Sequence, residues 1–163
     1  MLKEETIQTA KILSKKLKNE NVDWMVVGTA SLVLQGIDIE PADIDIFTTK
    51  EGAFKIYDCL KEYGIQEIKH SAGPQGILLS WFGKLKINNV PVEINGDPEN
   101  KSISGSWIKI NVLSKKEYIC LGDDKIPILP IKAELEECEK PKKLKREKDE
   151  KKIKLIKEYL RTS

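Results

Sequence analysis

The chain has 163 residues, of which 28 are lysine or arginine, 26 are aspartate or glutamate, and 40% are hydrophobic. This length predicts one domain with its own hydrophobic core. The formal net charge of +2 argues against a strongly basic nucleic-acid coat and against an acidic disordered chain.

The composition also indicates where the protein resides. No apolar run has the length that spans a membrane, and residues 1–5 carry acids where a secretory signal would be basic. The three cysteines, Cys59, Cys120 and Cys138, lie far apart and are odd in number, which is typical of a reducing compartment. We therefore expect a cytoplasmic protein with no membrane association.

The first 63 residues alternate helices with short strands. Apolar residues at three- and four-residue steps predict helices over 4–19 and 50–63, and 29–35 is a predicted short helix. The apolar run Trp24–Val27 predicts a buried strand, and the alternating segment 43–48 predicts a half-buried one.

Residues 65–130 have an almost entirely β pattern. Strands are predicted at 77–82, 84–88, 90–95, 107–112, 118–121 and 125–129, separated by Gly83, 88–89, the loop 95–105 and 122–124. Helices at 131–138 and 143–160 follow. This order predicts an α+β fold, with a mixed β-sheet flanked by helices. We expect a single domain over 1–163, with its core at about 5–130 and a helical C-terminal tail at 131–163.

Two aspartates mark the first chemical feature. Asp43 and Asp45 stand two residues apart on a predicted strand, so their side chains project from the same face. Carboxylates about 6–7 Å apart along a strand repel one another unless a cation lies between them. Mg²⁺ takes oxygen ligands, often one or two carboxylates with substrate phosphates. The pair predicts a magnesium site, although a strand whose aspartates simply face water has the same pattern.

Two further features lie on either side of this pair in the sequence. Gly28 ends the first strand and Thr29 opens the next helix, where free backbone amides attract phosphate. Glu93 alternates with Val92 and Ile94, so it completes a three-carboxylate cluster if its strand pairs beside that of Asp45. Taken separately, Gly28 also fits an ordinary strand–helix junction, and Glu93 fits an exposed strand position.

The segments Val27-Gly28-Thr29 and Asp43-Ile44-Asp45-Ile46, with the downstream carboxylate Glu93, resemble the DNA polymerase β-type nucleotidyltransferase superfamily. More narrowly, they are similar to its small minimal members from bacteria and archaea. The resemblance covers residues 5–97 well. Two positions depart from the pattern, because Thr29 replaces the usual Gly or Ser and Glu93 replaces the commoner Asp.

The resemblance implies a nucleotidyltransferase-like fold and a role for each of these residues. Asp43, Asp45 and Glu93 would hold two Mg²⁺ ions and act as catalytic residues, with Glu93 helping to deprotonate the attacking hydroxyl. Gly28 and Thr29 would contact the phosphates of an NTP, with ATP as the expected nucleotide. The acceptor would be a small molecule, a protein side chain or an RNA end.

A lysine-rich segment near the C-terminus is the other candidate for phosphate binding. Residues 140–157 hold ten basic and three acidic residues, a charge of +7, which leaves −5 on the rest of the chain. Either this segment is a solvated helix face, or Lys145, Arg146 or Lys148 reaches a phosphate of the nucleotide or acceptor. An acidic body joined to a basic helix could hold a phosphorylated ligand from both sides.

Several other residues favour structural roles. Trp24, Trp81 and Trp107 are expected in the core, and Asp123-Asp124 in a hairpin turn. His70 is the only histidine and precedes an expected mobile loop at 71–76, so we expect no histidine-based metal site.

Three functions remain compatible with the sequence. The first is a Mg²⁺-dependent enzyme that transfers a nucleoside monophosphate from an NTP to an acceptor hydroxyl. The second is a catalytically degenerate binding module, such as the antitoxin partner of a helical toxin. The third is an RNA-binding accessory protein that uses the lysine-rich helix.

Overall fold

The computed structural model describes residues 3–141 and 147–163. Helices there are α1 (Lys3–Leu17), α2 (Gly28–Leu34), α3 (Lys50–Cys59), α4 (Ile131–Glu139) and α5 (Glu147–Thr162), with 3-10 turns at Lys61–Tyr63 and Leu113–Lys115. Strands are β1 (Trp24–Val27), β2 (Ile44–Thr48), β3 (Lys69–Ser71), β4 (Leu78–Ile87), β5 (Val90–Lys101), β6 (Trp107–Lys109), β7 (Glu117–Leu121) and β8 (Asp124–Ile128). Within these residues, no helix combines the length and apolarity needed to cross a membrane.

The strands form one mixed sheet in the order β3-β4-β5-β2-β1-β8-β7, and β6 pairs with β5 beside this path. β2 runs parallel to β5, and β1 runs parallel to β8, while the other pairs are antiparallel. The structure is therefore α+β with a mixed sheet, as the sequence predicts. The parallel β2–β5 pair brings Asp45 beside Glu93.

The two faces of the sheet bury different sets of residues. On one face, α1 and α3 cover the main core, which includes Leu13, Ile56, Ile46 and Ile94. On the other face, a smaller cluster of Met25, Val27, Val112, Leu129 and Ala133 is joined by Phe47. Since Phe47 and Asp45 are two residues apart on β2, the carboxylates share this second face.

The middle strands are longer than the sequence predicts. The predicted strands 77–82 and 84–88 form one strand, β4, that passes through Gly83. A Cβ on Gly83 would lie 2.5 Å from Ile68 Cδ1, so this glycine allows close packing and does not break the strand. The prediction of a loop at 95–105 was wrong for its first half, because β5 continues to Lys101.

Smaller corrections concern helix ends and one missed strand. The predicted helix 50–63 ends at Cys59 and continues as a 3-10 turn. The strand predicted at 107–112 stops at Lys109, and β3 was not predicted. Of the last predicted helix, residues 143–146 lie outside the described part of the chain, and α5 extends to Thr162.

The tryptophans do not all lie in the core. Trp24 is buried, as expected, but Trp81 and Trp107 are only half-buried. Trp81 stacks on His70 with ring centroids 4.7 Å apart, and Lys50 Nζ lies 4.3 Å from the centre of its ring. His70 belongs to β3, and the stacking holds its ring on the sheet. Since Trp81 pairs with Gly96, which faces α3, this cluster lies on the face opposite the carboxylates.

Candidate active site

The candidate site is built on a row of residues that crosses four neighbouring strands. Lys84 of β4 pairs with Glu93 of β5, Glu93 with Asp45 of β2, and Asp45 with Val27 of β1. Asp43 immediately precedes β2 and projects from the same face as Asp45. The site therefore depends on the parallel pairing that joins two segments nearly fifty residues apart in the sequence.

The three carboxylates predicted as metal ligands lie together in the structure. Asp43, Asp45 and Glu93 each present an oxygen, and these oxygens lie within 4.8 Å of one another. We call this cluster the carboxylate triad. All three side chains are half-buried, so they remain accessible from one side. An all-oxygen donor set of this kind fits a hard divalent cation such as Mg²⁺.

The triad is electrostatically unfavourable on its own. Burial and the neighbouring charges of Asp43 and Glu93 raise the pKa of Asp45 well above its ordinary value. Burial and the charge of Glu93 also raise the pKa of Asp43. A cation placed among these oxygens would relieve their repulsion, which is the second observation that fits a metal ion.

Positive charge reaches the triad from two directions. Lys84 Nζ lies 3.7 Å from Glu93 Oε1 at the β4 end of the row. Lys148 and Lys152 of α5 lower the pKa of Asp43, and Lys152 also lowers the pKa of Asp45. The C-terminal helix is therefore packed with part of its basic face toward the carboxylates.

Gly28 forms the turn at the other end of the row. Its φ of +70° is a conformation that residues with a Cβ rarely adopt, and a Cβ here would lie 3.4 Å from Asp45 Oδ2. The turn thus brings bare backbone against the triad. Thr29, the next residue, is half-buried in the first turn of α2.

The sequence did not reveal the residue that holds this turn. The Gly28 N–H donates a hydrogen bond of 2.5 Å to Glu134 Oε1 of α4, and Glu134 is only 4% exposed. The backbone amide that the sequence assigned to nucleotide phosphate is therefore occupied by a carboxylate of the same chain. No local pattern marks Glu134, because it lies 106 residues from its partner and the contact exists only after folding.

Of the sequence candidates, Asp43, Asp45, Glu93, Gly28 and Thr29 come together on one face of the three central strands β1, β2 and β5. Lys145 and Arg146 lie outside the described residues. Lys148 acts on Asp43 of the triad, and so does Lys152, a residue that the sequence analysis did not name.

This sheet, with a glycine turn facing clustered carboxylates, is the fold of a nucleotidyltransferase, as the resemblance implies. The chain belongs to the aminoglycoside-2''-adenylyltransferase family, whose sequence model matches residues 10–152. The family and fold matches indicate an enzyme of nucleotidyl transfer.

Solved structures agree with this assignment. A Thermotoga maritima protein assigned as a nucleotidyltransferase is 28% identical, with a TM-score of 0.77 over 100% of this chain and 97% of its own. The lincomycin-bound lincosamide adenylyltransferase LnuA is 18% identical, with a TM-score of 0.57 over 94% of this chain and 96% of its own. ANT(2'')-Ia with adenylyl-2''-tobramycin is 10% identical, with a TM-score of 0.60 over 96% and 90%. The last two show the fold alone. No curated protein sequence matches significantly.

Proposed function

We propose that this protein transfers AMP from ATP to a hydroxyl group of an acceptor, with the carboxylate triad as its magnesium site. The observation that carries the proposal is the triad itself, with three carboxylate oxygens within 4.8 Å beside a glycine turn. Family membership supports adenylyl transfer as the reaction class. Two Mg²⁺ ions are the expected complement for a site of this kind.

Each residue has a distinct part in the proposed reaction. Asp43, Asp45 and Glu93 would hold the metal ions, which neutralise charge on the reacting phosphate when they are bound. Gly28 and Thr29 form the phosphate side of the site, with Lys145 and Arg146 proposed as further nucleotide contacts. The Glu134 carboxylate now on the Gly28 amide would have to yield that donor to a phosphate oxygen.

The proposed chemistry is a single in-line displacement. The acceptor hydroxyl oxygen forms a bond to the α-phosphorus, and the bond from that phosphorus to the bridging oxygen breaks. Pyrophosphate leaves with the electron pair of that bond, and Glu93 takes the proton from the hydroxyl. As metal ligands, Asp43 and Asp45 would be in their ionised form.

Calorimetry of Mg²⁺-dependent ATP binding tests the metal assignment. We expect the wild type to bind ATP only with Mg²⁺, and Asp43→Asn/Asp45→Asn to lose this binding. Asp58→Asn/Asp123→Asn removes the same two charges from exposed positions and serves as the matched control. Equal binding by the wild type and the Asp43/Asp45 variant would contradict the proposal.

A labelling experiment tests the transfer itself. The protein is incubated with Mg²⁺, ATP labelled at the α-phosphate, and cell extract, and the products are separated by size. We expect the label to appear on an acceptor with the wild type and not with the double variant. Mg²⁺-dependent binding without any label transfer would favour the degenerate binding module instead.

A further inference from the structure

The acceptor side of the site can be located from the row of strands, an inference that rests on the proposed function. In an in-line displacement, the attacking hydroxyl and the leaving pyrophosphate lie on opposite sides of the α-phosphorus. Val27, which precedes Gly28, lies at one end of the row and Lys84 at the other, with Asp45 and Glu93 between them. With the triphosphate at the Gly28 end, the acceptor enters at the Lys84 end.

A second row lies on the same face, beside the first. It joins Phe47 of β2, Asn95 of β5, Phe82 of β4 and Lys69 of β3. Asn95 is buried and held by Ser80 Oγ at 3.1 Å, while Phe82 is half-buried and therefore partly open to a ligand. The acceptor end thus offers an aromatic ring beside amino groups.

The charges at this end are mainly positive. Lys69, Lys84 and Lys86 project from the face of Phe82, and we call these four residues the lysine edge. Glu67 lies at the same margin, since the neighbouring Gln66 N–H bonds to Lys84 O, so the three lysines outnumber the local acid. Asp97 is a second acid near this end, two residues beyond Asn95, the partner of Phe82, or about 7 Å along the strand.

The acceptor end of the row offers little negative charge to a cationic acceptor, and Glu134 lies at the opposite, Gly28 end. Lys84, Lys148 and Lys152 act on Asp43, and Lys84 pairs with Glu93 in the metal-free chain. Metal ions held by Glu93 would free Lys84 for an incoming group. Two divalent ions and a fully ionised triphosphate then cancel one another. A polycation such as tobramycin needs surplus carboxylates for its ammonium groups, and the lysine edge would repel it.

We propose that the acceptor is a hydroxyl compound that carries a phosphate near its reacting hydroxyl, and that Lys84 binds this phosphate. A lysine binds phosphate as a point charge, and a partly open aromatic ring offers a face on which a base can stack. Both a small sugar phosphate and an RNA 3′ end have this chemistry. The adenylyl group passes to the hydroxyl oxygen, and pyrophosphate is released.

Binding to the nucleotide-loaded protein tests this assignment without requiring turnover. The protein is loaded with Mg²⁺ and a non-hydrolysable ATP analogue, and four probes are titrated: glucose, glucose 6-phosphate, a short RNA with a free 3′ hydroxyl, and tobramycin. We expect at least one phosphate-bearing probe to bind better than glucose, and tobramycin to bind more weakly than that probe. The phosphate probe that binds more tightly shows whether the acceptor is a small sugar phosphate or an RNA 3′ end.

Variants of Lys84 supply the second readout. Lys84→Gln should weaken the preferred phosphate probe about tenfold, the usual effect of losing one charged hydrogen bond. Lys84→Arg should retain most of the binding of the phosphate probe, and Lys84→Glu should strengthen the binding of tobramycin. Lys55→Gln, on α3 across the sheet, is the control for an exposed lysine.

The outcomes separate the two proposals. If the analogue does not bind the wild type with Mg²⁺, the proposed function itself has failed. If the analogue binds but tobramycin binds better than both phosphate probes, the acceptor assignment is overturned. It is also overturned if neither phosphate probe binds better than glucose, or if Lys84→Gln changes the binding no more than Lys55→Gln.

Discussion

Asp45 shows how a binding residue can oppose the stability of its own fold. Its carboxylate is placed beside two others, where burial and repulsion raise its pKa well above the ordinary value. The ionised form is therefore less favourable in the folded chain than in the unfolded chain. A residue kept at such a cost is typical of a functional site.

Asp45→Asn should stabilise the metal-free protein. Removing the repulsion is worth on the order of 1 kcal/mol, which for a chain of this size raises the Tm by about 2–4 °C. Because the folded-state pKa of Asp45 lies above its unfolded value, the cost of ionisation is fully present above the folded pKa and disappears as pH falls toward the unfolded one. The gain measured by thermal unfolding should therefore be largest at neutral pH and shrink in acid.

Two controls make this measurement specific. Asp58→Asn removes a charge from an exposed side chain and should leave the Tm unchanged. Added Mg²⁺ should raise the Tm of the wild type and not that of Asp45→Asn. A variant less stable than the wild type at neutral pH would show that Asp45 makes a favourable contact instead.

Glu134 of α4 supports the same site, because it accepts the hydrogen bond from the Gly28 N–H. Glu134→Ala leaves the Gly28 N–H without its acceptor at a partly buried position, which costs on the order of 1 kcal/mol. Glu134→Gln keeps an oxygen acceptor and should lose less. Thermal unfolding would measure both, with Glu136→Ala on the exposed side of α4 as the control.

Strand and helix positions could largely be predicted, because they follow local periodicity. The alternation around Asp43 and Asp45 and the helical stripe of α3 are visible within ten residues. The lengths of β4 and β5 could not be predicted, because Gly83 and Gly96 normally indicate a break. Both glycines are instead required by neighbours from other parts of the chain. Glu134 was missed for the same reason, since its partner is distant in sequence.

Gly96 is the clearest case of an element fixed by packing. A Cβ there would lie 2.8 Å from Thr49 O and 3.0 Å from Ala53 Cβ, so β5 and α3 could not approach as they do. We expect Gly96→Ala to cost about 1–3 kcal/mol by forcing the helix away. Denaturant unfolding would measure the loss.

Gly64→Ala provides the comparison for this variant. Gly64 has a φ of +68° and open space around it, so its substitution meets only backbone strain of about 1–2 kcal/mol. Gly96→Ala should additionally impair ATP binding, because β5 carries Glu93. If the Gly96→Ala protein were destabilised but bound ATP as the wild type does, the packing of β5 against α3 would not control the position of Glu93.

At the scale of the whole molecule, the nearly neutral net charge conceals a separation of charge. The basic α5 packs through Ile156 and Tyr159 against residues of α2 and α4. This packing brings Lys148 and Lys152 close enough to act on Asp43 of the carboxylate triad. The sequence predicted the separation, but only the packing of α5 shows which lysines face the carboxylates.

Lys148→Gln/Lys152→Gln should change the binding of Mg²⁺ and of ATP in opposite directions. The two lysines repel a cation at the triad, so their removal should strengthen the binding of Mg²⁺ alone. They attract a triphosphate, so the same removal should weaken Mg²⁺-dependent ATP binding, by roughly 5- to 30-fold for about 1–2 kcal/mol. Calorimetry measures both, and higher salt should reduce both differences. The control, Lys151→Gln/Lys154→Gln, removes equal charge from exposed positions of the same helix. If both pairs changed ATP binding equally, only the overall charge of α5 would matter, and not the placement of Lys148 and Lys152.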